Sequence, residues 1–245
     1  MVETALTTSA REVALRTARL SITTSVLLAC SAGLSLAAAW QRWAGVCGYG
    51  DLDVPACAAR QDHRFDAMFR GATWEPIGSM AQLLGLGTIL LAIALVLVPG
   101  ALGRRLSTWQ WGVLVLGAVS LLPTGIATLL SGVAGTVVEV PLTPAFAFLA
   151  LFALPLMVPL ALFTRDADGQ RAGLRGGLVV WMLVLTTPFF QLVLGPLAGG
   201  GASYDTSPWS EAVAVPFLLV AALALAPWRA QRSFSNQHLA HGLSL

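Results

Sequence analysis

The sequence predicts an all-α protein, a polytopic transmembrane helix bundle of six spans with a disulfide-containing outer loop and an interfacial amphipathic helix. Three observations predict it. The chain is 56% hydrophobic and 11% charged, with a mean hydropathy of +0.76, far outside the range of soluble domains. Its apolar residues gather into runs of about 20, the length that crosses a hydrocarbon core of roughly 30 Å. The polar segments between the runs differ in their arginine content, as loops on opposite sides of a membrane do. The net charge of +2 over 245 residues is too small to point to nucleic acid. All 14 cationic residues are arginine, which fits a high-GC bacterial coding sequence.

Residues 1–19 form a polar segment carrying Arg11, Arg16 and Arg19, which share one side of a helical wheel with Glu12; Ser9 and Glu12 have capping-box spacing. The apolar run Leu20 to Trp40 exceeds the roughly 7–15 residues of a signal-peptide core, so it reads as an uncleaved first span. Within it Ser25, Ala29, Gly33 and Ala37 recur every four residues and predict a helix-packing stripe. Cys30 reads as a small buried hydrophobe rather than a reactive thiol.

The segment from Gln41 to Ser79 is the outer loop. Cys47 and Cys57 flank Gly48, Gly50 and Pro55, a stretch able to turn back on itself. In an oxidising compartment they are expected to form a disulfide, stabilising the fold by roughly 3 kcal/mol on the chain-entropy model. No Cys-x-x-Cys pair is present to support redox chemistry. The order Trp40, Trp43, Cys47, Cys57 after a first span resembles the first outer loop of claudin-type proteins. The Gly-Leu-Trp of that family is absent, because Trp43-Ala44-Gly45-Val46 precedes Cys47, and six spans replace four, so no role is carried over.

From Ala58 to Ala72 the loop has helical amphipathicity. Phe65, Met68 and Phe69 are expected to anchor this helix at the interface, each contributing roughly 1.5–3 kcal/mol on full burial. His63, Asp66 and Arg70 lie on the opposite side and form a candidate docking face. Asp62, His63 and Asp66 also invite a metal or acid–base reading. Arg70, four residues after Asp66, supplies an ordinary partner, so a solvated face is favoured, and no metal, cofactor or catalytic residue is assigned.

Five more spans are expected. The second runs from Ile77 to Val98 and the third from Trp109 to Leu130, interrupted at Pro123-Thr124-Gly125. The fourth starts at Thr143-Pro144, an N-cap and N1 pair, and passes through Pro155 and Pro159 to Phe163. The fifth, Gly176 to Leu194, contains Thr186-Thr187-Pro188 and Gln191. The sixth lies between Trp209 and Trp228. Residues 20–228 then form the transmembrane domain, including the loop 41–79, and 229–245 a cytoplasmic tail.

With the N-terminus inside, ten arginines (11, 16, 19, 104, 105, 165, 171, 175, 229, 232) fall on inner segments and four (42, 60, 64, 70) on outer ones. That bias predicts a bacterial plasma-membrane protein with both termini cytoplasmic. No ionisable residue falls clearly inside a span, which weighs against a proton-coupled pump. Three function classes follow. The favoured one is a non-catalytic membrane subunit or scaffold that sits in the lipid bilayer and docks a partner membrane or envelope protein through its outer loop. The second is a small-solute or lipid permease, or the membrane subunit of a transporter, supported by the proline-interrupted spans. The third is an envelope enzyme using the outer-loop Asp and His residues. No nucleotide-binding loop, zincin motif or nucleophile elbow appears.

Overall fold

A computed structural model describes residues 2–48, 52–67, 70–71, 73–163, 173–198 and 206–227, with side chains from residue 11 onward except at 198. Its regular structure is helical, and no strand occurs among the described residues. The first helix, α1 (Val2–Trp43), is one uninterrupted rod that joins the polar N-terminal segment to the first apolar run. After the loop come α3 (Met80–Ala101) and α4 (Thr108–Ala134), while the loop itself contains the short α2 (Pro55–Gln61). The chain continues as α5 (Thr143–Phe152), α6 (Leu154–Phe163), α7 (Leu174–Leu185), α8 (Pro188–Ala198) and α9 (Ala214–Leu225).

Helices α1, α3 and α4 are long and apolar enough to cross a membrane, and the number rises to five if each of two bent pairs is one span. The bends fall beside Pro155 and Pro188, two of the prolines inside the expected spans. α5 and α6 meet at 57° and α7 and α8 at 74°. Pro155 and Pro188 lack the N–H that would continue the ladder, and their rings clash with the carbonyl four residues back. The fourth and fifth runs are therefore broken helices rather than straight spans. The third run behaves differently: α4 passes through Pro123 without a break. The sixth run is not recovered as a span. It is split by a 3-10 turn at Ser210–Ala212, and α9 keeps 12 residues, about 18 Å of helix.

The helices form a closed circuit: α1 packs on α3, α3 on α4, α4 on α5 and α6, α6 on α7, α7 on α9, and α9 returns to α1. Leu28, Leu95, Leu121, Leu154, Leu183 and Leu218 meet in the shared core. Ser31 Oγ donates to the carbonyl of Gly87 at 2.9 Å across α1–α3, and Ser25 Oγ to that of Ala222 at 2.9 Å across α1–α9.

The small-residue contact lies elsewhere than expected. Ala29, Gly33 and Ala37 are exposed, and a Cβ at Gly33 would meet nothing within 4 Å. Of the expected stripe only Ser25 reaches another helix. Cys30, expected to be buried, is exposed and free beside Ala29. The close approach is between α3 and α4 at Gly85 and Gly125, where a Cβ on Gly85 would lie 2.5 Å from the Leu129 amide nitrogen. α1 turns instead Leu28, Ala32, Ala38 and Ala39 inward, a face displaced from the stripe by about 100° per residue of offset.

The loop holds the expected disulfide, Cys47–Cys57, with its Cα atoms 4.9 Å apart. Both cysteines are buried against Ala39 and Trp43. Cys47→Ser is expected to cost about 2–5 kcal/mol, read as a lower melting temperature, and non-reducing peptide mass mapping should find the bridge and a free Cys30.

Among the described residues of 58–72, the expected continuous amphipathic helix is replaced by shorter pieces. α2 ends at Gln61, whose side-chain amide is drawn to the Leu52 carbonyl at 2.9 Å. Asp62 then caps a single 3-10 turn, His63–Phe65, by accepting the Arg64 amide N–H at 2.8 Å. Phe65 is half-buried beneath the guanidinium groups of Arg60 and Arg64, 5.6 and 4.7 Å from its ring centre, so it is not a lipid-facing anchor. Met68 and Phe69 lie outside the described residues.

Candidate functional site

At the loop end of the bundle the chain buries a charge network that the sequence pattern does not announce. Arg42 closes the last turn of α1, and its side chain is 0% exposed. A guanidinium that far from water requires paired charge and satisfied donors. It has both. Nη1 bridges Asp66 Oδ1 at 2.8 Å and Glu211 Oε1 at 2.9 Å. Nε and Nη2 donate to the Arg60 carbonyl at 3.2 and 3.0 Å, and Nη2 reaches the Asp62 carbonyl at 3.5 Å. The guanidinium also lies over the Trp43 ring, 4.4 Å from its centre.

Three separate stretches supply these groups. Asp66 follows the 3-10 turn of the loop and is buried, with Oδ2 2.8 Å from His63 Nδ1 and Oδ1 accepting the Thr206 hydroxyl. Glu211 sits in the 3-10 turn before α9, where Oε2 accepts Trp43 Nε1–H at 2.6 Å and the Ser210 hydroxyl at 3.4 Å. Trp209, just ahead of it, adopts a left-handed backbone with φ of 63°, a conformation that costs a bulky residue about 1–3 kcal/mol. It is held there by Nε1–H donation to the Cys47 carbonyl at 3.2 Å and by an edge-on contact with Trp40, ring centres 6.1 Å apart. The disulfide thus anchors the carbonyl that fixes the turn presenting Glu211.

The candidate docking face is not assembled. His63 is exposed, but Asp66 is buried against Arg42, and its partner is not Arg70. Arg70 instead donates to the Ala67 carbonyl and the Thr128 hydroxyl on α4, and burial pushes its pKa below the ordinary value. Pairing with a fully buried guanidinium outweighs an i,i+4 surface pair worth a few tenths of a kcal/mol. This is the physical reason the loop leaves the helical path. Asp62 points away to Arg64, and among the described residues no three His, Cys, Asp or Glu side chains converge in a metal-holding arrangement.

The network forms one wall of a cavity of about 260 Å³. Its polar side is Arg42, His63, Asp66, Glu211 and the hydroxyls of Thr206, Ser207 and Ser210; its apolar side is Leu84, Leu151, Pro188, Leu192 and Pro196. The apolar side comes largely from α8, which starts at its bend with α7. There Thr186 and Thr187 return their hydroxyls to the carbonyls of Leu183 and Val184, and Gln191 Nε2 donates to the Thr186 carbonyl at 2.9 Å. Gly195 lets α8 approach the Glu211 turn, since a Cβ there would lie 3.2 Å from Ser210 Cβ. A second cavity of about 30 Å³ lies beside the first; Glu211, Gln191, Leu84 and Pro188 border both, and Ser31, Ser35, Thr88 and Thr186 border the second. That is room for one water with polar partners.

Sequence reasoning counted Arg42 and Glu211 only as loop charges. The available signal was their placement: each lies within two residues of a tryptophan and directly adjoins an apolar run, at the same expected end of the bundle with opposite charge.

Fold and site together define an all-helical protein with three to five apolar helices able to span a membrane and a buried ion-pair cluster at the disulfide-bearing end. No family model matches the chain, and neither a curated protein nor a solved structure matches it.

Proposed function

We propose that the protein is a plasma-membrane bundle of six crossings, its loop 41–79 outside and both termini inside, which takes a small molecule into the cavity beside Arg42 as a permease or the membrane subunit of one. The observation that carries this reading is the cavity itself, walled by the α7–α8 break and by buried charge. Broken helices beside polar groups are how membrane proteins build solute sites. A docking subunit is supported less well, because Asp66 and Arg70 of the expected docking face are engaged inside the chain. α9 alone is shorter than a full crossing, so in this reading the 3-10 turn at Ser210–Ala212 and α9 cross together.

Cysteine labelling tests the arrangement in a Cys30→Ser background, where the disulfide leaves no other thiol. Ser207→Cys is expected to react with a membrane-impermeant maleimide in intact cells, and Arg105→Cys only after permeabilisation. Labelling of Arg105→Cys in intact cells, or of Ser207→Cys only after permeabilisation, would overturn the orientation and with it access to the cavity from outside.

A further inference from the structure

We propose that the cavity beside Arg42 selects a small amphiphilic cation, an alkylammonium-type molecule, an inference that rests on the small-molecule reading above and names its ligand class. Among the described residues, four lining residues carry or can carry charge: Arg42, Asp66, Glu211 and His63. With the imidazole neutral, these four hold one positive and two negative groups, a net charge of −1.

Hydrogen-bond capacity points the same way. A guanidinium has five N–H donors, and Arg42 directs five contacts to Asp66, Glu211, the Arg60 carbonyl (twice) and the Asp62 carbonyl. None of its donors is left for an anionic guest. A carboxylate has about four acceptor sites. Asp66 accepts from Arg42, Thr206 and His63, and Glu211 from Arg42, Trp43 and Ser210. Each carboxylate therefore keeps acceptor capacity on a wall whose described charges sum to an excess negative one, and both are largely buried, where a charged donor is bound more strongly than a neutral one. Opposite them, Leu84, Pro188, Leu192 and Pro196 offer an apolar surface for a hydrocarbon body. At about 260 Å³ the space is smaller than the usual ~300–1,000 Å³ of a drug-sized site, so the guest is a short-chain amine rather than a lipid.

The test compares three probes with one hydrocarbon body, hexylammonium, hexanol and hexanoate, binding to the full-length protein in nanodiscs at pH 8. Hexylammonium is expected to bind at least about tenfold more tightly than hexanol, and hexanoate more weakly than either. Glu211→Gln should remove most of the hexylammonium advantage while leaving hexanol binding in place, which also shows that the variant's cavity is intact. If Glu211→Gln does not fold, Thr206→Val and Ser207→Ala keep the charges and should retain the preference. Binding of hexanol or hexanoate equal to or tighter than that of hexylammonium would overturn the cation assignment while leaving a small-molecule site. Binding of none of the three would overturn both.

Discussion

Arg42→Met is expected to lower stability by about 3–5 kcal/mol, the usual cost of leaving buried charges without their partner. The mutation deletes one guanidinium but strands two carboxylates, Asp66 and Glu211, whose side chains are each 10% exposed. It also removes the donors that hold the Arg60 and Asp62 carbonyls, so the loop after α2 loses its tie to α1. The measurement is the midpoint of thermal unfolding in detergent, together with the yield of monodisperse protein. A triple variant, Arg42→Met with Asp66→Asn and Glu211→Gln, should recover part of the loss because no uncompensated charge remains. Arg42→Lys should fall between, since an ammonium has three donors and lacks the planar fork whose five contacts reach four acceptors. A melting midpoint for Arg42→Met equal to the parent's would show that the network contributes nothing to the fold.

The second large effect is expected at the α3–α4 seam. Gly85→Leu forces side-chain atoms into space where a Cβ alone would sit 2.5 Å from Leu129 N and 2.7 Å from the Gly125 carbonyl. These are backbone atoms in the middle of a helix, so relief requires the helices to separate. Overpacking of this kind costs about 1–3 kcal/mol and more when backbone must move. Separation would also strain Gln82, whose side-chain amide donates to the Gly132 carbonyl at 2.6 Å across the same interface. Gly33→Leu is the matched control on α1, where a Cβ meets nothing within 4 Å. It should be neutral or slightly stabilising, because leucine has the higher helix propensity by somewhat under 1 kcal/mol. Equal melting midpoints for the two leucine variants would place the seam on the wrong helix.

Several elements were legible in the sequence because they depend on local chemistry. The apolar runs and the disulfide between Cys47 and Cys57 follow from residue type and spacing. The cap formed by Ser107 and Gln110, whose Oε1 accepts the Ser107 N–H at 2.8 Å, went unread although its spacing is local. Two periodic patterns do not specify the contacts made within this chain, for a common reason. The stripe on α1 and the amphipathic wheel over 58–72 each had helical spacing, but spacing does not say what stands opposite. On α1 the facing helices meet the neighbouring face. In the loop, a buried guanidinium 24 residues upstream captures Asp66.

The sequence by itself determined that this chain is all-helical and strongly apolar and that its loop closes on a disulfide. These properties are written in composition, in runs of about 20 residues and in the spacing of Cys47 and Cys57. Tertiary structure alone decided which small residues meet, how sharply the interrupted helices bend, and that Arg42, Asp66 and Glu211 form one cluster. The last pairing joins residues up to 169 positions apart. A lone charge beside an apolar run has the same local sequence whether it ends in water or inside the protein. Its state is fixed by whether the fold brings an opposite charge within about 3 Å, because only then is burial tolerable.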